Sequence, residues 1–269
     1  MKIGNRLFDL KNQTYIMGIL NLTPDSFSDG GKWNRVDKAL NQVKKMIEEG
    51  CDIIDIGGES TRPGYTKISD SEELDRIIPV IQAIKKEFDI PISVDTYKSK
   101  VAKVVIEEGC DLINDIWGLK YDSDMAKVIK ESGVACCLMH NRNTAEYHCF
   151  MDDMKNDLKE TIRIALENGI DKNKIILDPG IGFSKSYQEN LEIIAKLESL
   201  HELGYPLLLG TSRKSVIGLT LDLPVEERIE GTLVTSVLAT MSGCGFVRVH
   251  DIKENKRVIK MTTAIKKYK

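Results

Sequence analysis

The sequence predicts an α/β protein whose parallel strands close into an eight-stranded (β/α)8 TIM barrel. Eight short runs rich in β-branched and other apolar residues recur along the chain, at 15–20, 52–56, 91–95, 111–114, 134–139, 174–178, 206–210 and 245–249. Stretches with helical apolar spacing separate these runs, so strands alternate with helices. The runs themselves are nearly continuous in apolar residues, which is typical of parallel strands covered on both faces. Eight such units are the content of a closed barrel.

The predicted elements follow one another regularly. Residues 1–13 precede the first run and are expected to form a short N-terminal arm or hairpin. The segments 47–55 and 106–114 share a helix end, a glycine cap and an acidic strand start, which supports a repeated unit. Apolar side chains three or four residues apart predict helices after the first two runs, at Val36, Leu40, Val43 and Ile47, and at Leu74, Ile77, Ile81 and Ile84.

The composition is that of an ordinary globular protein, with 269 residues of which 42% are hydrophobic and 29% charged. No proline-rich linker or change of composition divides the chain, so we predict one domain over residues 1–269. The main alternative is an open doubly wound sheet, which usually has fewer strands.

Charge and motifs exclude several classes of function. Lys and Arg total 38 against 41 Asp and Glu, for a net charge of -3 without a basic block, so neither nucleic acid nor an anionic membrane is an expected partner. No apolar run reaches the roughly 18 residues that cross a bilayer, and we expect a cytoplasmic protein. The chain also lacks a P-loop pattern and His or Cys residues at zinc-binding spacing.

Unusual polar residues stand where the predicted strands end. In a (β/α)8 barrel these ends surround one mouth, where the chemistry takes place. Any one of the residues could merely cap the next helix, but Lys, Arg and His are poor N-caps. A mouth with carboxylates, amides and cations suits a polar, partly aromatic ligand that carries an anion. The residues are Asn21, Asp95, Asn114, His140, Asp178, Lys214, Arg248 and His250.

Two loops are longer than the 2 to 6 residues that usually follow a strand in such folds. They comprise residues 21–35 and 57–71, and both are rich in Gly, Ser, Thr and Pro. We expect them to act as lids over a ligand, although exposed loops without a function would have the same composition.

Read together, the strand ends resemble the dihydropteroate synthase family of pterin-binding TIM barrels. The similarity departs mildly at Ser184, where the family pattern leads us to expect glycine, and this departure concerns only the local loop conformation. The segments that carry the resemblance are residues 17–31 (MGILNLTPDSFSDGG), 55–64 (DIGGESTRPG), 93–96 (SVDT), 114–115 (ND), 178–183 (DPGIGF), 210–215 (GTSRKS) and 248–251 (RVHD).

The resemblance implies a transferase of folate biosynthesis. In that reaction p-aminobenzoate displaces diphosphate from (7,8-dihydropterin-6-yl)methyl diphosphate, which gives 7,8-dihydropteroate. Two alternatives remain at this point. One is a pterin-binding methyltransferase barrel that uses methyltetrahydrofolate and needs no diphosphate site. The other is a catalytically silent barrel that only binds a pterin.

The resemblance also implies a pterin pocket. A pterin edge presents adjacent N–H donors, and Asp178 would accept both of them. Asp95 and Asn114 would contact the remaining ring nitrogens, and Lys214 would donate to the ring carbonyl and a ring nitrogen. Walls and a stacking surface would come from Met139, Phe183 and Arg248.

The other substrate groups are assigned by resemblance too. Asn21, Arg248 and His250 would bind the diphosphate, with Mg²⁺ held by Asn21 and phosphate oxygens. Thr61 and Arg62 would close over p-aminobenzoate, and Ser215 at a helix start would hold its carboxylate. A homodimer is expected on the same grounds. The residues expected to act in catalysis are Asn21, Arg62, Lys214, Arg248 and His250.

Overall fold

The structure is a computed structural model that describes residues 1–22, 32–60 and 66–268. Its central sheet has eight parallel strands in the order β8-β7-β6-β5-β4-β3-β10-β9. Leu177 of β8 pairs with Leu207 just before β9, so the two edges of the sheet meet and the predicted barrel is confirmed. The strands are β3 (Tyr15–Asn21), β4 (Ile53–Gly57), β5 (Ile92–Asp95), β6 (Leu112–Asp115), β7 (Ala135–Met139), β8 (Ile175–Asp178), β9 (Leu208–Leu209) and β10 (Phe246–Val249).

Helices pack around the outside of this sheet. The repeated joint predicted in segments 47–55 and 106–114 is confirmed, because Gly50 and Gly109 have φ values of 97° and 98°, which residues other than glycine rarely adopt. In the part of the chain that the structure describes, no helix has both the length and the apolar character to span a membrane. The helices are α1 (Lys32–Glu48), α2 (Asp70–Glu87), α3 (Ser99–Glu107), α4 (Met125–Ser132), α5 (Phe150–Glu167), α6 (Tyr187–Ala195), α7 (Ser215–Leu221), α8 (Ile229–Met241) and α9 (Ile252–Lys266).

The N-terminal segment forms the predicted hairpin and closes one end of the barrel. Strands β1 (Lys2–Ile3) and β2 (Arg6–Leu7) pair in antiparallel fashion. Ile3 of the hairpin and Phe8 just after it pack on inward-facing residues near the starts of the strands. The buried strand residues of this cluster are Met17, Ile53, Leu112, Ala135, Cys137, Ile176, Leu208 and Phe246. Because the hairpin fills the amino-terminal end, the described residues leave the carboxyl-terminal end as the place for a mouth.

Phe8 should contribute strongly to stability, because its ring is buried edge-on against Tyr15 at 4.8 Å and lies 5.6 Å from Phe246. We expect Phe8→Ala to lower the free energy of unfolding by about 3–5 kcal/mol, through lost burial and a cavity. Leu7→Ala is the matched control, since Leu7 is 81% exposed, and should change it by less than about 0.5 kcal/mol. Urea unfolding measures both, and equal midpoints for Phe8→Ala and wild type would contradict the role of the hairpin.

Candidate active site

An arginine between two carboxylates lies at the centre of the mouth. Arg248 of β10 donates through Nε to Asp55 at 2.5 Å and through a terminal nitrogen to Asp95 at 3.0 Å. Asp55 also accepts from Ser93 Oγ at 2.5 Å and from the Asn114 amide at 3.3 Å. The arrangement joins strands β4, β5, β6 and β10 and compensates the burial of the charges.

Asp55 is a site residue that our sequence analysis did not assign. It stood inside a quoted motif, but its position in the middle of an apolar strand received no interpretation. That position was the available signal, because a fully buried carboxylate requires a cation or several donors. The sequence could have shown that Asp55 needs a partner, but not that the partner is Arg248.

Asp95 retains one oxygen without a partner. Its Oδ2 accepts from Arg248, whereas Oδ1 is buried and has no hydrogen bond among the described residues. Burial raises the pKa of Asp95 and the Arg248 guanidinium opposes that rise. A buried acceptor left unpaired is costly, and a ligand N–H would satisfy it. The site therefore has a free acceptor for a polar ring.

Asp178 and Lys214 meet beside a glycine at the end of β9. Asp178 Oδ1 accepts from the Gly180 amide at 2.7 Å. Asp178 Oδ2 and Lys214 Nζ lie 3.8 and 3.9 Å from the position that a Cβ would take on Gly210, and the Arg248 Cβ is also at 3.8 Å. The structure thus brings together three predicted residues around a backbone that leaves room for a ligand.

The Lys214 ammonium has lost much of its contact with water. Its Nζ donates to the Ile181 carbonyl at 2.5 Å and lies 4.9 Å from the centre of the Phe183 ring. Burial lowers the pKa of Lys214 to about 8, although the Asp178 carboxylate acts in the opposite direction. Such a lysine can donate to a ligand carbonyl with little competition from water.

Met139 and Phe183, the two residues predicted to form an apolar wall, lie in one small apolar cluster. Met139 at the end of β7 is buried, and it belongs to a small cluster, separate from the main core, on which Phe183 packs. The cluster presents flat or polarizable surface near the polar groups, which suits a heteroaromatic ring. Its other members are Tyr97, Ile116 and Trp117.

The loop that carries Lys214 is held in an unusual conformation. Arg213 has a φ of 59°, a left-handed backbone conformation that costs residues other than glycine about 1 kcal/mol or more. Two hydrogen bonds from its guanidinium to Asp251, at 3.1 and 2.5 Å, stabilise it there. Ser215 then begins α7 and is exposed. In the neighbouring strand end, Nδ1 of His250 lies 3.0 Å from Ser212 Oγ.

Asn21 lies at the opposite side of β10 from this loop. It ends β3 and pairs in register with Gly57, and its side-chain oxygen is 3.5 Å from the position of a Cβ on that glycine. Thr61 and Arg62 lie outside the described residues. The flanks of their loop are held by Lys98, which donates to Glu59 at 2.6 Å and to the Ile68 carbonyl at 2.8 Å.

Ser184, the departure from the family pattern, adopts the backbone that glycine would favour. Its φ is 45°. Its hydroxyl donates to the Arg142 carbonyl at 2.5 Å, and its own carbonyl accepts from Tyr147 at 2.9 Å. The serine therefore keeps the left-handed turn and adds hydrogen bonds to the loop after β7 that glycine could not supply through a side chain.

Lys214→Met should make stability depend differently on pH. The unfolded chain keeps the Lys214 proton to about pH 10.5, whereas the folded protein releases it at about pH 8. Folding is therefore penalised below pH 8, and the penalty disappears as the pH rises through 10.5. Wild type should therefore gain stability between pH 7 and pH 9.5, and Lys214→Met should not. Relative to wild type, the free energy of unfolding of Lys214→Met should fall by about 1–2 kcal/mol over this range. Urea unfolding at both pH values tests this, and a difference that does not change with pH would contradict it.

Comparisons with known proteins agree with this geometry. A family model described as "Pterin binding enzyme" matches residues 17–250. A dihydropteroate synthase of Clostridium beijerinckii is 61% identical over 266 residues, which cover 98% of this chain and 99% of that protein. A dihydropteroate synthase of Bacillus subtilis is 55% identical over 255 residues, which cover 95% of this chain and 90% of its relative.

Solved structures give the same result. A dihydropteroate synthase from Clostridium difficile, determined in the presence of pteroic acid, superposes with a TM-score of 0.94 at 50% identity, covering 96% of this chain and 99% of that one. The Xanthomonas albilineans enzyme with 4-aminobenzoic acid has a TM-score of 0.92 at 38% identity, covering 97% and 96%. The chain belongs to the dihydropteroate synthase family of pterin-binding enzymes.

Proposed function

We propose that the protein transfers the dihydropterinylmethyl group of (7,8-dihydropterin-6-yl)methyl diphosphate to the amino group of p-aminobenzoate, with release of diphosphate. The observation that carries this proposal is the grouping of Asp178, Lys214 and Arg248 around Gly210 at the open end of the barrel. Family membership supports the same reaction. So do the pteroic acid and 4-aminobenzoic acid named for two related crystal structures.

The pterin ring binds between the strand ends. Asp178 offers Oδ2 to the ring donors while Oδ1 stays with Gly180, and Asp95 Oδ1 is a second acceptor. Lys214 exchanges the Ile181 carbonyl for the ring carbonyl and a ring nitrogen, and Asn114 contacts a further ring nitrogen. Hydrogen bonds to several edges discriminate strongly against rings that lack them. The apolar and stacking contacts come from Met139, Phe183 and Arg248.

The diphosphate lies towards Asn21, Arg248 and His250. Mg²⁺ often keeps water ligands and takes only one or two protein oxygens beside substrate phosphates. The described residues contain no group of three His, Cys, Asp or Glu side chains that could hold a metal. An oxygen of Asn21 beside the space left by Gly57 suits an ion that is shared with the substrate. When bound, the ion neutralises charge on the leaving diphosphate.

The p-aminobenzoate subsite is proposed by resemblance. Thr61 and Arg62 close over this substrate, and Ser215 binds its carboxylate with the help of backbone amides at the start of α7. Ser215 is exposed, so its hydroxyl is accessible for that contact. The Lys98 bonds to Glu59 and to the Ile68 carbonyl lie on the two flanks of this loop, and residues 61–65 between them lie outside the described residues.

Catalysis requires no nucleophilic side chain. The amine nitrogen forms a bond to the exocyclic methylene carbon, the bond from that carbon to the diphosphate oxygen breaks with its electron pair leaving on diphosphate, and the nitrogen releases one proton. The electron-rich ring held by Asp95, Asp178 and Lys214 can stabilise positive charge on the methylene. Arg248 and His250 supply charge and hydrogen bonds to the leaving group, so rate acceleration is chiefly electrostatic. The proposal that loops 21–35 and 57–71 close and exclude water rests on the sequence, since residues 23–31 and 61–65 lie outside the described residues.

We further propose a homodimer in the cytoplasm, with residues 1–269 as one domain. Helices α8 and α9 pack on each other, yet each exposes a stripe of large apolar side chains. The stripes comprise Val234 and Leu238 on α8, and Met261 and Ile265 on α9. Apolar side chains clustered on a surface are typical of an interface, and a second copy of this chain would cover them.

The direct test of function is release of diphosphate by the purified protein. Release should require both the pterin diphosphate and p-aminobenzoate, and reactions that omit either substrate are the controls. Excess EDTA should stop the reaction and Mg²⁺ should restore it, because the Arg248 charge proposed for the diphosphate site is already shared with Asp55 and Asp95. Failure with both substrates and Mg²⁺ would contradict the function, whereas full activity in EDTA would contradict the metal alone.

Asp178→Asn tests the pterin contact. The asparagine oxygen can keep the Gly180 hydrogen bond, and its NH₂ group then faces a ring donor where Oδ2 accepted before. We expect kcat/KM to fall at least about 100-fold, with pterin affinity, while thermal stability of the unliganded protein changes little.

Asp111→Asn is the matched control for this substitution. Asp111 precedes β6 at the closed end of the barrel, where it accepts from Lys85 at 2.6 Å and from the Ile92 amide at 2.9 Å. The turnover of the Asp111→Asn protein should stay within about twofold of wild type. A folded Asp178→Asn protein with normal pterin affinity would mean that this carboxylate does not contact the ring.

A further inference from the structure

One lysine that the sequence analysis did not single out joins the loops after β7 and β8. Lys185 is partly buried, and its Nζ donates to the carbonyls of Phe183 at 2.8 Å, Gly180 at 3.0 Å and His140 at 3.4 Å. A protonated lysine has three N–H donors, and these three carbonyls account for all of them. Two of the acceptors lie in its own loop, and the third follows β7.

The backbones of the two loops are so close at Gly180 that neither can move towards the other. A Cβ on Gly180, which has a φ of 72°, would lie 2.1 Å from the His140 carbonyl oxygen, so the two backbones touch. Three carbonyl oxygens converge on this point and repel one another through their partial negative charges. The Lys185 ammonium replaces that repulsion by three attractive contacts. Without it the loops would separate or admit water.

The loop held in this way carries the pterin contacts. Asp178 lies at the start of this loop and accepts a hydrogen bond from the Gly180 amide, and Phe183 lies near the end of the loop. On the other side, Lys214 donates to the Ile181 carbonyl at 2.5 Å. When Lys214 turns to a ligand, that bond is lost and Lys185 remains as the lysine that holds the loop.

The positive charge of Lys185 supports the pterin contacts, as its hydrogen bonds do. Burial lowers the pKa of Lys185 to about 7, and the nearby Asp178 carboxylate counteracts part of that effect. Burial raises the pKa of Asp178, and the Lys214, Arg248 and Lys185 cations oppose the rise. The protonated form of Lys185 therefore favours the ionised Asp178 that the pterin donors need.

We propose that Lys185 is a positioning residue for the pterin part of the substrate, which holds Asp178 and Phe183 in place by fixing the loop after β8 on the end of β7. The inference rests on the proposed function. It assigns Lys185 no contact with substrate and no role in the p-aminobenzoate subsite.

The test compares Lys185→Met with Lys185→Arg, and with Lys196→Met as a matched control. Lys196 follows α6 of the same loop-helix unit, and among the described residues its ammonium forms an ion pair with the surface residue Glu192, at 2.6 Å. Met keeps the length of the side chain and removes the charge and donors, whereas Arg keeps the charge. Calorimetry gives pterin diphosphate affinity, steady-state kinetics gives KM for each substrate and kcat, and thermal unfolding reports on the fold.

We expect Lys185→Met to raise the Kd and KM for pterin diphosphate at least about tenfold, since a small displacement of binding groups is costly. The KM for p-aminobenzoate at saturating pterin should stay within about twofold, as should all constants of Lys196→Met. Lys185→Arg should recover most of the pterin affinity. If the Lys185→Met protein is unfolded, Lys185→Gln replaces it in the same measurements, since glutamine keeps two N–H donors without the charge.

A merely structural role would lower thermal stability and the fraction of active enzyme but leave both KM values and the pterin Kd unchanged. That result, or normal pterin affinity in a folded Lys185→Met protein, overturns the inference while the proposed function stands. If wild type itself neither binds pterin diphosphate nor releases diphosphate, the proposed function fails and the inference fails with it.

Discussion

The buried contact of Arg248 with Asp55 and Asp95 constrains the rest of the mouth. A guanidinium and two carboxylates have left water here, and their mutual attraction offsets the loss of hydration only while the geometry is kept. Ser93 and Asn114 supply further hydrogen bonds to Asp55, so four strands must stay in register. This rigidity has a use, because groups that are already oriented need no rearrangement when charge develops in a reaction.

The two ends of the barrel have different physical characters. The hairpin fills the amino-terminal end with apolar side chains, and that end contributes stability through burial. The carboxyl-terminal end holds ionisable groups whose pKa values are shifted by burial, among them Asp95, Asp178 and Lys214. Such groups lower the stability of the unliganded protein, and a ligand that pairs with them restores it. The separation of stability from chemistry is a property of this fold.

Two residues with strained backbones lie at the same end. Arg213 and Ser184 have positive φ values, and each is held by side-chain hydrogen bonds, to Asp251 and to the loop after β7. These positions flank Lys214 and Phe183, so the strain maintains the orientation of binding groups and not that of the core. The Ser184 turn and the three carbonyl contacts of Lys185 lie next to one another in sequence, and they join the same two loops.

The sequence by itself determined the alternation of eight strands with helices, the N-terminal hairpin, the repeated glycine joints and the polar residues at strand ends, because these depend on local periodicity and turn chemistry. Only the tertiary structure decided which charges pair. Arg248 and Asp55 are 193 positions apart, and a chain with 38 basic and 41 acidic residues offers many combinations. The hydrogen bond from Lys185 to the His140 carbonyl depends on the distance between two loops. The sequence pattern of either loop does not predict that distance. Closure of the barrel brings such groups together, and it is the sum of many contacts distant in sequence.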